Sequence, residues 1–362
     1  MKKNNRVIIF CGALAAGGAE RVISMLAGYF LNYFQEVEVV MYYDQAIWYP
    51  IDKRVKIVSI EKEINSKKIL QKAQWFRRYV KNTTPEVVFS FLSPFNMFAL
   101  ISLWGCRIPV IVADRADPRF DPASPVLRGV RNILYRFADG LVVQTRSNLS
   151  YYSNQIKAKS AVIYNPVFLQ DYVGQALKHS SKKKIVSVGR LTSVKNQMML
   201  IDAFARFVDK FDHYELVIYG EGEMRQSLEE HIKELELQDK VKLPGVQKNI
   251  FEHIVDAELF VLSSDNEGMP NALIEAMCLG LPCISTCVSG AVDLIEDGVN
   301  GCLIEVGNKD GLAQKMIEMV ENSSYSKQIA KEAVKLADRL KVGDIAEQWV
   351  VFMRKVLKVE QD

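Results

Sequence analysis

Apolar, β-rich runs alternate with helical patterns along this chain, and this alternation limits its possible folds more than any other feature. Several runs are almost continuously apolar, which is typical of strands buried on both faces of a parallel sheet. In the first half, strands are predicted at residues 6–11, 37–42, 55–60, 87–92, 110–113, 141–144 and 161–164. Helices are predicted between most of them, at 19–32, 67–81, 95–104, 125–137 and 146–155. The pattern predicts a doubly wound α/β sheet.

The alternation begins again after a polar stretch that starts beyond Pro166 and ends at residue 184, which is the best linker in the sequence. Strands are then predicted at 185–189, 215–219, 241–243, 259–262 and 283–285. The length suits two domains of about 150–200 residues. We therefore expect two Rossmann-like domains, 1–168 and 182–340, with a ligand cleft between their strand C-termini. Segment 341–362 carries an amphipathic helix, and one sequence leaves open whether it packs on the first domain.

Composition excludes several classes of protein. An apolar fraction of 49% and a charged fraction of 25% are typical of a globular chain and not of a disordered one. No run of about 18 uncharged apolar residues is present, and the N-terminus leads directly into the first predicted strand, so we expect a protein inside the cell. The six cysteines form no C-x-x-C pair, which favours buried, reduced thiols.

Charge divides the chain into a basic and an acidic half. Residues 1–170 carry 23 Lys and Arg against 12 Asp and Glu, whereas residues 171–362 carry 23 against 31. The first half is therefore expected to meet an anionic partner, such as phospholipid headgroups or a lipid-phosphate acceptor.

Segment 66–81 is the most basic and aromatic part of the first half. Its apolar stripe at helical spacing consists of Ile69, Ala73, Phe76 and Val80. The flanking cations are Lys68, Lys72, Arg77 and Arg78, and a second basic face holds Arg128, Arg131 and Arg136. Two interpretations stay open: the helix lies on an anionic membrane, or its stripe packs on the sheet with its charges in water.

The first loop, residues 12–21, follows a strand and opens a helix. Its glycines, which include Gly17 and Gly18, would let main-chain N–H groups approach a phosphate at the helix N-terminus. The loop is neither G-x-G-x-x-G nor a P-loop, so the two commonest nucleotide motifs are excluded. A tight turn without a ligand explains the glycines equally well.

Two basic residues, Arg190 and Lys195, follow the first strand of the second domain. Cations at a strand end suit a diphosphate approached from two directions, although strands also commonly end in solvated basic loops.

The segment 263–277 carries the strongest signal in the chain. It follows an apolar strand, places Glu267 in a loop, and places Glu275 inside the next helix. The start of that helix would present main-chain N–H groups and a positive dipole end to an anion. The residues concerned are Gly268, Met269, Pro270 and Asn271.

Glu267 and Glu275 have the E-x7-E spacing of the retaining glycosyltransferases of family four, which have the GT-B fold, and the chain resembles that family from about residue 6 to 320. Further motifs that resemble the family's lie at 17–21, 164–167, 189–196, 220–222 and 243–245. The resemblance implies that Arg190 and Lys195 bind the donor diphosphate. It implies contacts from Glu267 to the donor sugar and from Glu275 to the ribose, with Gly245 near the base. The glycine loop with Gly17 and Gly18 is likewise expected to bind the donor.

The resemblance implies a function as well as a fold. It implies transfer of a hexose or N-acetylhexosamine from a UDP-sugar to a lipid-linked or polysaccharide acceptor, with retention of configuration. The protein would act peripherally on the inner face of a cell membrane. Two alternatives are a nucleotide-sugar epimerase on the same scaffold and a non-catalytic sugar-binding protein. We expect no nucleic-acid partner.

The chain departs from the family in one respect. Many members use a histidine in the first domain, whereas the histidines here are His179, His213, His231 and His253, all beyond the linker. Segment 111–118 resembles an acidic-Arg-x-Asp-Pro variant found in some members. Asp114 would then be a catalytic residue in place of that histidine. Asp114 or Arg115 would face the donor sugar or the acceptor, although a structural ion pair explains them equally well.

No D-x-D motif, which holds the cation in metal-dependent sugar transferases, occurs in the chain. The resemblance therefore implies a reaction without a metal or other cofactor, in which Arg190, Lys195 and helix N-termini neutralise the leaving UDP.

Overall fold

The computed structural model describes residues 5–15, 17–167, 169, 172–178 and 182–358. The chain forms two compact units. Unit 1 comprises Met1–Pro166 with Leu340–Asp362, and unit 2 comprises Val167–Arg339.

Unit 1 is built on a seven-stranded parallel sheet in the order β3-β2-β1-β4-β5-β6-β7. The strands are β1 Arg6–Cys11, β2 Glu36–Met41, β3 Lys56–Ser59, β4 Val87–Phe91, β5 Val110–Ala113, β6 Gly140–Val143 and β7 Ser160–Val162. The strand order reverses between β1 and β4, and ligands of doubly wound sheets bind beyond the strand C-termini at such a switch point.

Helices connect these strands. They are α1 Gly18–Phe30, α2 Ile60–Ile64, α3 Ile69–Thr83, α4 Ser93–Ser102, α5 Pro125–Leu134, α6 Arg146–Ser150 and α7 Asn154–Lys157, and a 3₁₀ turn follows α5 at Tyr135–Phe137. The single helix predicted at 146–155 is therefore two short helices. Ile60, predicted as the end of a strand, begins α2, because the Ser59 side chain accepts a hydrogen bond from the Lys62 N–H and caps that helix.

Unit 2 repeats the plan with six parallel strands in the order β10-β9-β8-β11-β12-β13. The strands are β8 Lys184–Val188, β9 Glu215–Tyr219, β10 Val241–Gly245, β11 Leu259–Leu262, β12 Cys283–Thr286 and β13 Cys302–Ile304. The helices of unit 2 are α8 Gln197–Val208, α9 Arg225–Glu234, α10 Ile250–Ile254, α11 Asn271–Leu279, α12 Ser289–Leu294, α13 Lys309–Glu321, α14 Ser323–Val334 and α15 Leu336–Arg339. The last helix of the chain, α16 Val342–Leu357, belongs to unit 1. Its switch point lies between β8 and β11. The predicted fold class, two doubly wound α/β sheets, is confirmed.

The last helix, α16, packs in unit 1. Trp349 is fully buried, with its ring 5.5 Å from that of Phe89 and 5.4 Å from that of Phe91. Because both phenylalanines lie on β4, the helix covers the middle of the unit 1 sheet. A buried tryptophan contributes 150–250 Å² of contact area, so this packing holds the C-terminal segment firmly.

Much of the predicted linker belongs to unit 2. The Gly174 N–H donates to the Cys278 carbonyl over 3.0 Å. The Lys182 and Lys184 ammonium groups both pair with Asp256, at 2.6 and 2.5 Å. Residues 172–178 and 182–184 therefore belong to unit 2 rather than to a free linker, because a main-chain hydrogen bond at Gly174 and ion pairs at Lys182 and Lys184 attach them to it. Residues 179–181, with His179, lie outside the described residues.

The cysteines are all free thiols, as predicted, but Cys287 is exposed and Cys106 is only partly buried. Burial raises the pKa of the Cys278 thiol to about 12, so that thiol stays protonated. Within the described residues, no helix combines the length and the apolarity needed to span a bilayer.

Candidate active site

Two loops meet at the switch point of the unit 2 sheet, one after β8 and one after β11. The Ser263 hydroxyl donates to the Lys195 carbonyl over 3.0 Å, and the Asp265 N–H donates to the Val194 carbonyl over 2.9 Å. The Asn196 side-chain amide donates to the Asp265 carboxylate over 2.7 Å. These three bonds fix the position of each loop relative to the other.

Lys195 and Glu267 form an ion pair in this pair of loops. The Ser264 hydroxyl donates to the same carboxylate oxygen, Oε1 of Glu267, over 2.9 Å. The two side chains are 21% and 14% exposed, so the partners are shielded from water and attract each other more strongly than a surface pair would. Two residues predicted separately, for the diphosphate and for the sugar, are thus in direct contact.

Arg190 lies in the loop that also carries Lys195, two residues beyond the end of β8. Its carbonyl accepts a hydrogen bond from the Gln197 side chain over 2.9 Å, which anchors its backbone. The Arg190 side chain is exposed and makes no hydrogen bond or ion pair with any described residue. The guanidinium group of Arg190 is therefore available to bind an anion through two parallel hydrogen bonds.

Helix α11 begins at the same edge of the sheet. Pro270 is its N-cap, one position before the predicted first turn, and provides no side-chain cap. The positive end of the helix dipole therefore lies beside the loop of Gly268 and Met269. Glu275 is buried on this helix, and Asn271 is its first residue.

Gly290 on α12 holds the start of α11 in place. A Cβ atom at this position would lie 2.6 Å from the Gly268 carbonyl oxygen and 2.5 Å from Cδ of Pro270. Any larger residue would displace the loop that carries the predicted anion site. This signal was not recognised in the sequence, because a lone glycine in a helical pattern does not show what approaches it.

The ends of β9 and β10 complete this edge. The Gly220 N–H donates to the Gly245 carbonyl over 3.1 Å, which joins two of the motifs of the sequence. Gly220 has φ +146°, and a Cβ there would lie only 1.9 Å from the Gly189 carbonyl oxygen. Glycine is therefore required at 220, and Gly245 and Gly189 lie at one edge of the sheet.

Unit 1 places the start of α1 beyond the end of β1. Gly17 is the N-cap in an extended conformation, without a side-chain cap, and Gly18 is the first helical residue. A Cβ on Gly17 would lie 2.2 Å from a carboxylate oxygen of Glu20, so glycine makes room for that side chain. Ala16 of the predicted loop lies outside the described residues.

Arg115 follows β5 and carries an incompletely paired guanidinium group. Its Nη2 donates to the Asn165 side chain, whereas Nε and Nη1 are buried without a partner among the described residues. Burial lowers the pKa of Arg115 to about 9, although the charge of Glu20 acts in the opposite direction. An unpaired buried cation is costly, so this site favours an anionic ligand.

Asp114 lies in the core of unit 1 and does not face a ligand surface. Its carboxylate accepts hydrogen bonds from the Tyr135 and Tyr152 hydroxyls and, over 3.3 Å, from the Asn96 amide. Burial raises the pKa of Asp114, while the charge of Arg131 counteracts this. These contacts contradict the predicted catalytic role and support the structural alternative. The two tyrosines could not have been linked to Asp114 from spacing alone.

The basic helix α3 also differs from its membrane interpretation. Lys72 is buried, pairs with Glu61 at 3.3 Å, and lies 4.0 Å from the centre of the Tyr42 ring. The prediction that Lys72 contacts acceptor or membrane is therefore wrong, because its charge is used within the fold. Phe76 and Val80 of the stripe are buried, while Lys68 and Arg78 remain exposed.

Two further arginines are not the surface cations that the pattern indicated. Arg77 donates from Nη1 to the carbonyls of Ser102 and Trp104, at 3.0 and 2.6 Å. Arg131, predicted on a second basic face, is fully buried, and its guanidinium group donates hydrogen bonds to the carbonyls of Asp121 and Pro118.

Known proteins are similar to this chain in sequence and in fold. Residues 170–336 match the family model described as "Glycosyl transferases group 1". One relative, from Campylobacter jejuni, is 26% identical to this chain over 97% of this chain and 99% of its own length. Its name is GalNAc-alpha-(1->4)-GalNAc-alpha-(1->3)-diNAcBac-PP-undecaprenol alpha-1,4-N-acetyl-D-galactosaminyltransferase. A second relative from that organism is 29% identical over 95% of this chain and 98% of its own length. Its name is N-acetylgalactosamine-N,N'-diacetylbacillosaminyl-diphospho-undecaprenol 4-alpha-N-acetylgalactosaminyltransferase.

Solved structures show the same fold over nearly the whole chain. Anabaena Alr3699/HepE in complex with UDP and glucose has a TM-score of 0.80 and 19% identity, covering 95% of this chain and 98% of that one. Sucrose-phosphate synthase from Thermosynechococcus elongatus has a TM-score of 0.83 and 16% identity, covering 98% and 100%. With the group 1 match over unit 2 and two Rossmann-like units, the chain is a glycosyltransferase of the GT-B fold that carries a Glycosyl transferases group 1 domain.

Proposed function

We propose that this enzyme transfers an N-acetylhexosamine from a UDP-sugar to a polyprenyl-diphosphate-linked oligosaccharide, forming an α-linkage with retention of configuration. Two relatives of almost equal length are named for transfer of N-acetylgalactosamine to undecaprenol-linked acceptors, and a solved structure of the same fold contains UDP and glucose. A hexose donor and a polysaccharide acceptor are the broader form of the same proposal.

One observation carries the proposal for the donor: the contact of Lys195 with Glu267, in a loop that also carries the exposed side chain of Arg190. The two cations and the start of α11 provide positive charge for a diphosphate. Glu267 then accepts from hydroxyl groups of the donor sugar, and Glu275 from those of the ribose. The main chain of Gly268, Met269 and Asn271 approaches the phosphates, and Gly245 borders the base.

The reaction proceeds on one face of the sugar. The acceptor hydroxyl oxygen bonds to the anomeric carbon as the bond from that carbon to the UDP oxygen breaks, and a phosphate oxygen of the departing UDP takes the hydroxyl proton. Arg190 and Lys195 stabilise the charge that develops on UDP. We expect no metal requirement, because these cations supply the neutralisation that Mg²⁺ supplies elsewhere.

Arg115 binds the phosphate groups of the acceptor in this proposal. The unpaired Nε and Nη1 of Arg115 support it, as does the charge of unit 1, which has 27 Lys and Arg against 16 Asp and Glu. A lipid-linked acceptor places the enzyme on the inner, cytoplasmic face of a membrane as a peripheral protein.

The test is a panel of UDP- and GDP-sugars, each incubated with a polyprenyl-diphosphate-linked oligosaccharide and, separately, without acceptor. We expect UDP release that requires the acceptor, a product heavier by one N-acetylhexosamine, and an α-anomeric proton in its NMR spectrum. An altered sugar nucleotide formed without acceptor would instead support an epimerase. A β-linked product would contradict retention.

A further inference from the structure

Helix α5 of unit 1 buries its polar side and exposes its apolar side. Arg131 is fully buried, donates from Nη2 to the Pro118 carbonyl over 3.0 Å, and lies 5.3 and 5.4 Å from the ring centres of Tyr151 and Tyr152. Arg128 donates from Nη1 to the carbonyls at 122 and 123, over 2.9 and 2.8 Å. Both arginines of the helix are thus engaged by the fold, and neither makes the exposed face polar.

The exposed face of the same helix is apolar along its length. Val126, Val130, Ile133 and Phe137 recur at helical spacing, the last in the 3₁₀ turn that follows, and are 75, 40, 56 and 55% exposed. Trp104, beyond the end of α4, extends this surface, because its ring centre lies 4.6 Å from that of Phe137.

We call these five residues, with Ile101 on α4, the docking face. Ile101 and Trp104 are 58% and 55% exposed. Single exposed apolar residues are normal on a protein surface, but a continuous patch of large ones marks a site that another body covers. The inverted polarity of α5 points the same way, since an ordinary surface helix turns its charges outward.

Cations border the docking face at both ends of the Trp104–Phe137 contact. Arg77 donates to the Trp104 carbonyl over 2.6 Å. Arg136 is exposed next to Phe137, and the Lys159 ammonium group donates to the Arg136 carbonyl over 2.7 Å. The occupant must therefore be apolar at its centre and anionic at its border. A second copy of this chain would bring like charges together, whereas an anionic bilayer satisfies both conditions.

We infer that the docking face lies in the interface of an anionic lipid bilayer, with its apolar side chains among the acyl chains. The exposed Arg136 lies near lipid phosphates, and the half-buried Arg77 and Lys159 add positive charge at the border. The choice of a bilayer rests partly on the proposed lipid-linked acceptor. This face takes the place of α3, whose stripe is partly buried in the fold and whose Lys72 is not exposed. The enzyme is thus held at the surface where such an acceptor resides.

The test measures co-sedimentation of the full-length protein with vesicles of phosphatidylcholine alone and with added phosphatidylglycerol. The variant carries Val126→Glu, Val130→Glu and Ile133→Glu. A matched control carries Val292→Glu, Val299→Glu and Val306→Glu in unit 2, where the wild-type valines are 43, 42 and 44% exposed. We expect wild type and control to bind the anionic vesicles and the docking variant to bind about tenfold or more weakly. Equal binding by all three proteins, or no binding by the wild type, would overturn the inference.

Two additional measurements separate this inference from the proposed function and from self-association. With a short-chain, water-soluble acceptor, the docking variant should turn over like the wild type; with the acceptor embedded in vesicles, it should be slower. Absent transfer by the wild type together with intact, α5-dependent vesicle binding would contradict the proposed function alone. A wild-type dimer in analytical ultracentrifugation that the docking variant abolishes would assign the face to a second copy and overturn the inference.

Discussion

The side chains of Lys195 and Glu267 form an ion pair across the switch point of the unit 2 sheet, where the loops after β8 and β11 meet. The pair joins a cation that we assign to the donor diphosphate with a carboxylate that we assign to the donor sugar. A diphosphate that binds Lys195 competes with Glu267 for it, which releases the carboxylate to accept hydrogen bonds from sugar hydroxyls.

Glu267→Gln should therefore separate binding from turnover. We expect kcat to fall by about 100-fold, the cost of two lost charge-assisted hydrogen bonds, while UDP binds as tightly as before or more tightly because Lys195 loses its competitor. Steady-state kinetics and calorimetric titration with UDP measure the two effects. Lys210→Met, which removes an exposed ion pair with Glu321, is the control for a general effect of charge in unit 2. Weaker UDP binding by the glutamine variant would refute the competition.

Arg115→Met should weaken use of the acceptor without lowering the free energy of unfolding. Because two nitrogen atoms of Arg115 are buried without a described partner, an apolar side chain of similar length should leave the free energy of unfolding unchanged or raise it by about 1–2 kcal/mol. The same variant should raise KM for the lipid-linked acceptor about tenfold or more. Chemical denaturation and acceptor titrations give the two values. A clear loss of stability with normal acceptor kinetics would show that Arg115 is only structural.

The pH dependence of acceptor use should reflect the pKa of Arg115, which burial lowers to about 9. The group is cationic below this pH and loses its charge above it, so kcat/KM for the acceptor should decline as pH rises through about 9. The free-enzyme pKa governs this parameter. A profile from pH 7 to 10.5 on wild type and Arg115→Met measures it, and the methionine variant should lack the decline. A wild-type profile that stays flat to pH 10.5 would contradict the assignment.

Asp114→Ala should destabilise unit 1 without a catalytic effect. Removal of the carboxylate leaves the buried Tyr135 and Tyr152 hydroxyls without their acceptor and Arg131 without a neighbouring charge. We expect a loss of about 3–5 kcal/mol in the free energy of unfolding. Activity per folded molecule should stay normal at a temperature well below the unfolding midpoint. A folded variant with strongly reduced kcat would restore the catalytic role that the sequence suggested.

Gly290→Ala should weaken donor binding through a change of backbone position alone. The added methyl group would overlap the main chain of Gly268 and Met269 and the ring of Pro270, which must shift. We expect UDP affinity to fall about tenfold or more, as binding sites tolerate little displacement. Gly129→Ala is the control, because a Cβ at that position meets no atom within 4 Å. Unchanged UDP affinity in the Gly290 variant would argue that this loop does not contact the donor.

The sequence predicted the repeated parts of the fold well. Continuous apolar runs such as β1 and β4 are buried on both faces of a parallel sheet, so their composition alone identifies them. Strand β13 was missed because its three residues are too few to show a pattern. Helix α2 was missed because one capping hydroxyl, that of Ser59, converts the end of an apolar run into a helix.

The candidate residues of the two units differ in how well the sequence predicted their surroundings. Arg190, Lys195 and Glu267 could be placed near the C-terminal ends of the unit 2 strands because residues just after the strands of a doubly wound sheet gather there. Their role in binding the donor stays a prediction. Asp114 has the same placement, yet Tyr135 and Tyr152 enclose it, and only the fold brings those rings to it. Lys72 was misjudged for the same reason, since Glu61 and the Tyr42 ring satisfy its charge from other elements. The inverted polarity of α5 depends on which side meets the sheet, which periodicity does not reveal.

The central claim, that Arg190 and Lys195 bind the donor diphosphate, is tested most directly by comparing UDP with uridine. Calorimetric titrations should use the wild type, the double variant Arg190→Gln/Lys195→Met, and the control Lys210→Met. The account predicts that wild type and control bind UDP at least about 100-fold more tightly than uridine, and that the double variant binds both about equally, because only the phosphates meet these cations. If the double variant keeps the full preference for UDP, the diphosphate is bound elsewhere and the account is contradicted.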